Sequence, residues 1–344
     1  MRGTIWGGAM QVETKRLDEN DKSVSRALWF EAKGRAALRS ETLGALALDC
    51  VRVRTQWSLI SRGTERLVFD GEVPTSVEGQ MRAPMQQGDF SFPVKYGYCA
   101  VGKVEAGPSG WLGKTVFVLH PHQDIFDAPL GMLSVIPANI PPRRAALAAN
   151  IETALNALWD SGAGPGDRIA VVGAGVVGLL VAALAARLPG AEVTVIDVAE
   201  QRRSVANQIG AQFRHAGEIP EANADIVFHT SASSAGLTTA LACAGFEATV
   251  IEMSWYGARG VHAPLGEAFH SRRLKLIASQ VGYVAPSRRP RWSHARRLMK
   301  AIELLDDARL DALITGEVAF ADLPDAMPGL LAPQAAGLAT VVRY

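Results

Sequence analysis

The chain reads Asp167-Arg-Ile-Ala-Val-Val-Gly173-Ala-Gly175-Val-Val-Gly178 and continues through an alanine- and leucine-rich stretch to a second apolar run that stops at Asp197. A buried strand, a glycine turn, a helix and a second buried strand in this order are typical of a βαβ unit in a parallel sheet. Gly173 permits a tight turn, Gly175 lets a ligand approach the backbone, and Gly178 lets the helix pack close to the strand. The stretch therefore predicts a nucleotide-binding unit.

The same stretch predicts how a dinucleotide binds. The helix after the glycine turn offers backbone N–H groups and a partial positive charge to phosphates, and Val176 and Val177 lie in its first turn. Asp197 follows at about the distance, roughly 20 residues, at which a carboxylate accepts hydrogen bonds from ribose hydroxyls. That carboxylate repels a 2′-phosphate, so we predict NAD as the cofactor. Arg202 and Arg203 keep NADP open, although we expect both on a solvated helix face.

Composition describes an ordinary globular protein. The length of 344 residues suggests two domains, and a net charge of +1 gives no global bias toward nucleic acid, so we predict no nucleic-acid partner. Cys50, Cys99 and Cys243 are odd in number and far apart, which argues against a disulfide framework and suits a reducing cytoplasm.

Two segments of the sequence bear on targeting and membrane insertion. Residues 169–188 are apolar enough on hydropathy alone to span a bilayer. Glycines at turn spacing and a strand-like opening favour the soluble interpretation, so we predict no integral membrane segment. Residues 1–23 are polar and lack the apolar segment of a signal peptide, and we predict a loosely held tail on a cytoplasmic protein, with Met10 as an alternative start.

The rest of the chain divides into a β-rich part and an alternating part. Residues 24–153 contain short β segments broken by Gly and Pro, and the predicted strands are 25–30, 46–55, 98–105 and 115–119, followed by a helix over 143–159. Residues 154–283 alternate strand and helix as in a doubly wound parallel sheet. Residues 284–344 begin with an arginine-rich helix and read as strand, helix and strand thereafter. We expect this ending to return to the β-rich domain, with the active cleft between the domains.

The layout from Ser25 to Tyr344 resembles the medium-chain dehydrogenase/reductase superfamily. The landmarks are Gly63-Thr64-Glu65-Arg66, Gly97 with Val101-Gly102-Lys-Val-Glu-Ala-Gly107, Thr153-Ala154, the glycine turn, and Ser279-Gln-Val-Gly282. The resemblance implies an α/β protein in which a GroES-like, β-rich catalytic domain joins a Rossmann domain. It also implies that Thr153 contacts the cofactor and that the protein is a homodimer through the edge of the nucleotide-domain sheet.

Many members of that superfamily hold a catalytic zinc ion. The three ligand positions are occupied here by Arg62, Tyr98 and Ala149, and the residue beside Tyr98 is Cys99. An arginine, a tyrosine and an alanine cannot together hold Zn²⁺ in a tetrahedral site. We therefore predict a protein without zinc and without any other metal.

Within the superfamily, four segments are similar to the bacteriochlorophyllide a dehydrogenase branch. They are residues 95–98, 118–123, 150–156 and 269–274. The enzyme of that branch oxidises the hydroxyethyl group of a bacteriochlorophyllide to acetyl with NAD, and the branch also holds many uncharacterised "zinc-type" dehydrogenases. The resemblance implies hydride chemistry on a small-molecule substrate, a secondary alcohol or ketone, and it leaves the pigment substrate open.

Catalysis without zinc needs other groups to handle charge and proton. In our hypothesis Arg62 places a permanent cation where zinc would lie, Tyr98 gives or takes the proton, and Thr64 passes it outward. The structural alternative is that Arg62 pairs with Glu65 or another carboxylate and that Tyr98 packs at the start of a strand.

Three histidines are further candidates for substrate contact. His120-Pro-His122 would place two imidazoles on one face of a strand, and with Asp124 nearby a metal site is conceivable, although no Cys or Glu completes it. His270 is a candidate by resemblance alone. For each histidine a structural role is the alternative.

Other functions stay open. A quinone or enone reductase also needs no zinc but usually prefers NADPH, and Asp197 argues against it. A non-catalytic NAD-binding sensor would have lost turnover together with the zinc ligands. The arginine-rich helix could meet an acidic substrate or a lipid headgroup, whereas such a charge run is usually a solvated face; its basic residues are Arg288, Arg289, Arg291, Arg296, Arg297 and Lys300.

Overall fold

A computed structural model describes residues 24–218 and 222–344, so the predicted tail over 1–23 lies outside the described residues. The first part of the chain is rich in short strands. Its elements are β1 (Val24–Ala32), β2 (Arg35–Thr42), β3 (Cys50–Ile60), α1 (Arg62–Phe69), α2 (Glu78–Met81), β4 (Gln87–Gly88), β5 (Val94–Lys95), β6 (Ala100–Ala106), β7 (Thr115–Val118), β8 (Ile125–Pro129), β9 (Ser134–Val135) and α3 (Pro142–Ala145).

The second part begins with a long helix and then alternates strand and helix. Its elements are α4 (Ala148–Ser161), β10 (Arg168–Val172), α5 (Val176–Ala185), β11 (Glu192–Asp197), α6 (Arg203–Gln208), β12 (Gln212–His215), β13 (Ala224–His229), α7 (Ser234–Cys243), β14 (Ala244–Glu252) and β15 (Lys275–Ala278). The last elements are α8 (His294–Glu303), β16 (Ile314–Ala319), α9 (Leu323–Leu331) and β17 (Ala339–Arg343).

The alternating part forms one parallel sheet in the order β12-β11-β10-β13-β14-β15. Successive residues of β10 point to opposite faces: Val171 packs in the cluster that contains α4 and α5, and Val172 in the cluster that contains α7. Both faces of the strand are buried, which explains its unbroken apolar run. The predicted doubly wound parallel sheet is confirmed. The strand order reverses between β10 and β13, which is where such sheets bind ligands.

The apolar stretch weighed as a membrane span is divided between β10 and α5. Across residues 24–218 and 222–344, no helix is both long and apolar enough to cross a bilayer.

The β-rich part contains two sheets. One has the order β2-β1-β5-β4, and the other the order β16-β17-β3-β6-β7-β9 with β8 also on β3. The last strand, β17, runs antiparallel to β3, with Val342 opposite Ser58. The segment predicted to return to this part thus contributes β16 and β17 to its larger sheet, while the exact domain boundaries stay predictions.

Two predicted elements differ from the structure. The strand predicted to end at residue 55 continues to Ile60 in β3, because its last residues pair with β6 and β17, which are distant in sequence. The arginine-rich helix begins at His294 instead of residue 288, because Ser293 caps it by accepting a hydrogen bond from the Arg296 N–H at 3.1 Å. Arg297 is also not on a solvated face: it is 2% exposed and donates to Glu152 at 2.9 Å.

Candidate active site

The glycine turn has the shape that the sequence predicts. Gly173 has a φ of 110°, in the left-handed region, and a Cβ on Gly178 would lie 2.0 Å from the carbonyl oxygen of Gly173. Gly175 is the N-cap of α5, and nothing lies within 4 Å of where its Cβ would be. Gly178 is therefore required for packing, whereas Gly175 leaves open space at the helix N-terminus. Val176 and Val177 are partly exposed beside it, and these residues fit the pyrophosphate of a dinucleotide.

Asp197 is fixed beside this turn. One carboxylate oxygen accepts the Ala174 N–H at 2.6 Å and the other accepts the Ala199 N–H at 2.8 Å. Each oxygen keeps a second lone pair. The carboxylate is therefore held in place and can still accept ribose hydroxyls, as the sequence predicts.

The two arginines that follow Asp197 have different surroundings. Arg203 pairs with the exposed Glu200 and lies over the Phe213 ring, on the helix face where we expect it. Arg202 instead turns inward and donates to the Gly337 carbonyl at 2.6 Å. Burial lowers the pKa of Arg202, and the charge of Asp197 opposes this shift. The expectation of a solvated face is wrong for Arg202, because the C-terminal loop covers its side chain.

Arg62 is directed away from the predicted proton donor. Its guanidinium donates to the Ala335 carbonyl at 2.9 Å. Burial lowers its pKa, and the charges of Arg202 and Arg66 lower it further. Glu65 is not its partner, because that carboxylate accepts the Ser61 N–H at 2.7 Å and contacts His122. The structure thus places Arg62 beside Arg202 and does not bring its cation to Tyr98.

Tyr98 and Thr64 do lie together. The Tyr98 hydroxyl faces the side chains of Ser61 and Thr64 at the start of α1, and both act to lower the pKa of the phenol. The Asn150 amide of α4 donates to the Ser61 hydroxyl at 3.3 Å. Burial raises the pKa of Tyr98 well above its ordinary value, and Cys99 adds to this. The phenol is therefore neutral at physiological pH and can donate a proton. Sequence reasoning missed the roles of Ser61 and Asn150, which come from different elements.

His120 and His122 are buried, and neither lies on a strand, because β7 ends at Val118. The His120 ring stacks on Phe126 at 3.7 Å between centroids, and burial lowers its pKa to about 3. His122 lies between the Ser58 hydroxyl at 2.7 Å and the Glu65 carboxylate at 3.1 Å. These contacts indicate structural roles and do not support the predicted substrate contact.

The remaining two candidates are less constrained. His270 is exposed and follows an irregular helical turn. The Thr153 hydroxyl donates to the Ala149 carbonyl within α4 at 3.0 Å and is partly exposed. Contact of Thr153 with a cofactor stays a prediction.

The chemistry of the zinc positions does not suit a metal. Arg62 and Ala149 offer no ligand atom, and the Tyr98 phenol is protonated. Of the residues that the structure describes, no group of three or more His, Cys, Asp or Glu is arranged to hold a metal ion. We derive no chemical step through zinc.

Comparisons with known proteins agree with this architecture. The family model of the C-terminal domain of alanine dehydrogenase/PNT matches residues 161–253. An uncharacterized zinc-type alcohol dehydrogenase-like protein of Haemophilus influenzae is 28% identical over 144 residues, which are 39% of this chain. The match spans 42% of that relative's length.

Solved structures match over nearly the whole chain. L-idonate 5-dehydrogenase of Escherichia coli has a TM-score of 0.77 at 14% identity, covering 94% of this chain and 99% of that one. 2R,3R-butanediol dehydrogenase of Bacillus subtilis gives 0.74 at 16%, with coverage of 93% and 99%. A short chain alcohol dehydrogenase of Escherichia coli CFT073 in complex with NADH gives 0.72 at 15%, with coverage of 94% and 100%.

The fold is therefore that of these dehydrogenases, and it agrees with the resemblance to the medium-chain dehydrogenase/reductase superfamily. The predicted combination of a GroES-like domain and a Rossmann domain is confirmed.

Proposed function

We propose that this chain is a zinc-independent, NAD-preferring oxidoreductase that transfers hydride between a nicotinamide and a secondary alcohol or ketone. One observation carries the proposal: the neutral Tyr98 phenol faces Thr64 and Ser61, at one of the positions where relatives place a metal ligand. The glycine turn and Asp197 supply the dinucleotide half of the site. Structures with the same fold, one bound to NADP and one to NADH, support a nicotinamide dinucleotide, and Asp197 favours NAD.

The protein's own groups handle the proton. A bound nicotinamide supplies or accepts the hydride. In ketone reduction, the Tyr98 hydroxyl donates its proton to the oxygen on which negative charge develops. In alcohol oxidation, Tyr98 takes the substrate proton as it passes its own to Thr64 or Ser61. Asn150 orients Ser61 through its amide, so that a chain of hydroxyls leads away from the reacting oxygen.

Arg62 and Arg202 have a different role in this proposal. They bind the Ala335 and Gly337 carbonyls, which are two residues apart and so lie within about 7 Å of each other. Within the described ranges no carboxylate oxygen bonds either guanidinium. Two half-buried cations that no carboxylate bonds directly favour an anion between them. Because Arg62 begins the helix that carries Thr64 while Arg202 lies near Asp197, we assign them to the pyrophosphate that joins the two ends of the cofactor.

Arg202→Gln should raise the dissociation constant of NADH by roughly tenfold or more, since a hydrogen bond to a charged group contributes about 1.5–3 kcal/mol. Arg203→Gln is the matched control, because Arg203 pairs with the exposed Glu200. Titration of NADH fluorescence measures both variants. Equal affinities would contradict the assignment. Weakening of NADPH alone would move Arg202 to a 2′-phosphate site.

The substrate is proposed from the resemblance to the bacteriochlorophyllide branch, as a secondary alcohol of hydroxyethyl-chlorin type. The test is a panel of secondary alcohols with NAD⁺, including a hydroxyethyl bacteriochlorophyllide, and of ketones, enones and quinones with NADH and NADPH. Activity on smaller alcohols alone would keep the chemistry and discard the pigment. Turnover of enones with NADPH would favour the reductase, and tight NADH binding without turnover would favour the sensor.

We also propose a homodimer through β15. This edge strand pairs only with β14 in the sheet order, and Leu276 and Ile277 on it are each 40% exposed. An exposed apolar edge is a template for pairing with another chain. Light scattering should give about twice the mass of the 36.6 kDa chain, and the mass of a monomer would contradict this proposal.

A further inference from the structure

A chain of hydrogen-bonded side chains lies at the carboxyl ends of β13 and β14. The Ser231 hydroxyl is 2.7 Å from His229 Nε2, and His229 Nδ1 is 2.7 Å from the Glu252 carboxylate. The Tyr256 hydroxyl donates to the same carboxylate oxygen at 2.9 Å. His229 is buried, whereas Ser231 and Tyr256 are partly exposed. The mechanism proposed above uses none of these groups.

This chain of side chains is adjacent to the glycine turn. His229 is level with Val172 in the parallel register, one residue before Gly173. The Thr230 hydroxyl donates to the Gly173 carbonyl at 2.8 Å, and a Cβ on Gly173 would lie 2.8 Å from the Ser231 nitrogen. Ser231 therefore borders the space in which a dinucleotide would bind.

The strand order indicates which half of the dinucleotide this is. A dinucleotide binds across the point where the strand order reverses, between β10 and β13. Asp197, the predicted ribose acceptor of the adenosine half, ends β11 on one side of that point. The groups at the ends of β13 and β14 lie on the other side, where the nicotinamide half belongs.

The positions of the protons follow from the partners of Glu252. Burial raises the pKa of this carboxyl, but the hydrogen bonds from His229 and from the Ser254 N–H outweigh it, and the net pKa is lowered. An ionised Glu252 accepts a hydrogen bond from the N–H of His229 Nδ1. Nε2 is then free to accept a hydrogen bond from the Ser231 hydroxyl, and the oxygen of Ser231 can accept a hydrogen bond from a ligand. A base oriented by a carboxylate in this way fixes the direction of a hydroxyl.

We propose that Ser231 recognises the nicotinamide half of the cofactor, and that the His229–Glu252 pair positions its hydroxyl while the charge of Glu252 favours the oxidised cofactor. This inference rests on the proposed dinucleotide-dependent function. Glu252 is ionised and bonds His229 on the nicotinamide side, so its negative charge attracts the positively charged oxidised ring. The reduced ring is neutral, so NADH gains less from that charge than NAD⁺ does.

The other groups that face His229 do not reverse this sign. Tyr256 is neutral, because burial and then the charge of Glu252 raise its pKa well above its ordinary value. Arg259, whose charge acts on Tyr256, is exposed and pairs with Glu72 at 3.5 Å. Gly236 of α7 packs against His229 and carries no charge.

The test is the ratio of the NAD⁺ and NADH dissociation constants of the full chain and of its Glu252→Gln variant. Tryptophan-fluorescence quenching measures both constants. The two cofactors share the adenosine half, so effects on that half cancel in the ratio. We expect the ratio to rise roughly fivefold or more in Glu252→Gln, because the lost negative charge weakens NAD⁺ selectively.

Three further variants make the result specific. In His229→Gln an amide can still reach Ser231 and Glu252 keeps its charge, so the ratio should stay near the parent's. Glu303→Gln removes an exposed carboxylate of α8 and should also keep the parent's ratio. Ser231→Ala, at a partly exposed position, should weaken both cofactors several-fold and serves if the Glu252 variant does not fold.

A Glu252→Gln ratio equal to the parent's, or parent-like affinities in Ser231→Ala, would each overturn the inference while leaving dinucleotide binding intact. A parent that binds neither cofactor would contradict the proposed function itself and this inference with it.

Discussion

Tyr98→Phe should lower turnover of a secondary alcohol by about tenfold or more, because positioned acid–base groups contribute roughly 10²–10⁴ to rate. The variant removes only the hydroxyl that faces Ser61 and Thr64. The affinity for NADH should stay at the parent's value, since no contact joins Tyr98 to the glycine turn in the described residues. Steady-state kinetics and NADH titration, made on the same preparation, measure both quantities.

Tyr96→Phe is the matched control. Tyr96 is a buried tyrosine, packed edge-on against Tyr98 at 6.0 Å between ring centroids, and its hydroxyl does not face Ser61 or Thr64 as that of Tyr98 does. Its turnover should equal the parent's. Because burial raises the pKa of Tyr98, ketone reduction by the parent should not fall between about pH 7 and 9 through loss of this proton. Parent-like turnover in a folded Tyr98→Phe variant would remove the phenol from the mechanism.

Arg297→Ala should lower the free energy of unfolding by about 3–5 kcal/mol, since it leaves a buried carboxylate without its cation. Arg297 donates to Glu152 at 2.9 Å and to the Asn156 side chain at 2.6 Å, and it also bonds the carbonyls of Val281 and Tyr283. Its side chain thus joins α4, α8 and the segment that leaves β15. The thermal midpoint should fall by several degrees, measured by circular dichroism.

Arg291→Ala is the control for this effect. Arg291 is exposed on the same arginine-rich segment, and substitutions at such positions usually change stability by less than about 0.5 kcal/mol. If both variants unfolded at the parent's temperature, the buried ion pair would not contribute to stability. If Arg297→Ala yields no folded protein, Arg297→Lys keeps the charge, loses the planar fork, and should be destabilised to a smaller degree.

Local patterns predicted the nucleotide half of the molecule because its determinants are contiguous. One run of sequence contains β10, the glycine turn, α5 and β11, and the steric requirement at Gly178 comes from Gly173, five residues earlier. Burial on both faces of β10 left an apolar run that no local alternative explained as well.

The catalytic half was predicted less completely, because its contacts join residues far apart in sequence. Ser61 and Asn150 are 89 residues apart, and Arg62 is held by a loop 273 residues away. The motif around His120 and His122 suggested a strand face, whereas its partners, Phe126, Ser58 and Glu65, bury both rings. His229 and Glu252 end two different strands, and only the parallel register brings them side by side.

The central claim is hydride transfer without zinc at the Tyr98 site. Its most direct test is NADH formation from a secondary alcohol by protein whose metal content has been determined and which is then incubated with a chelator. The account predicts that NADH absorbance increases at the same rate before and after chelation. It also predicts a metal content far below one ion per chain. Turnover that disappears with the chelator and returns on addition of Zn²⁺ would contradict it.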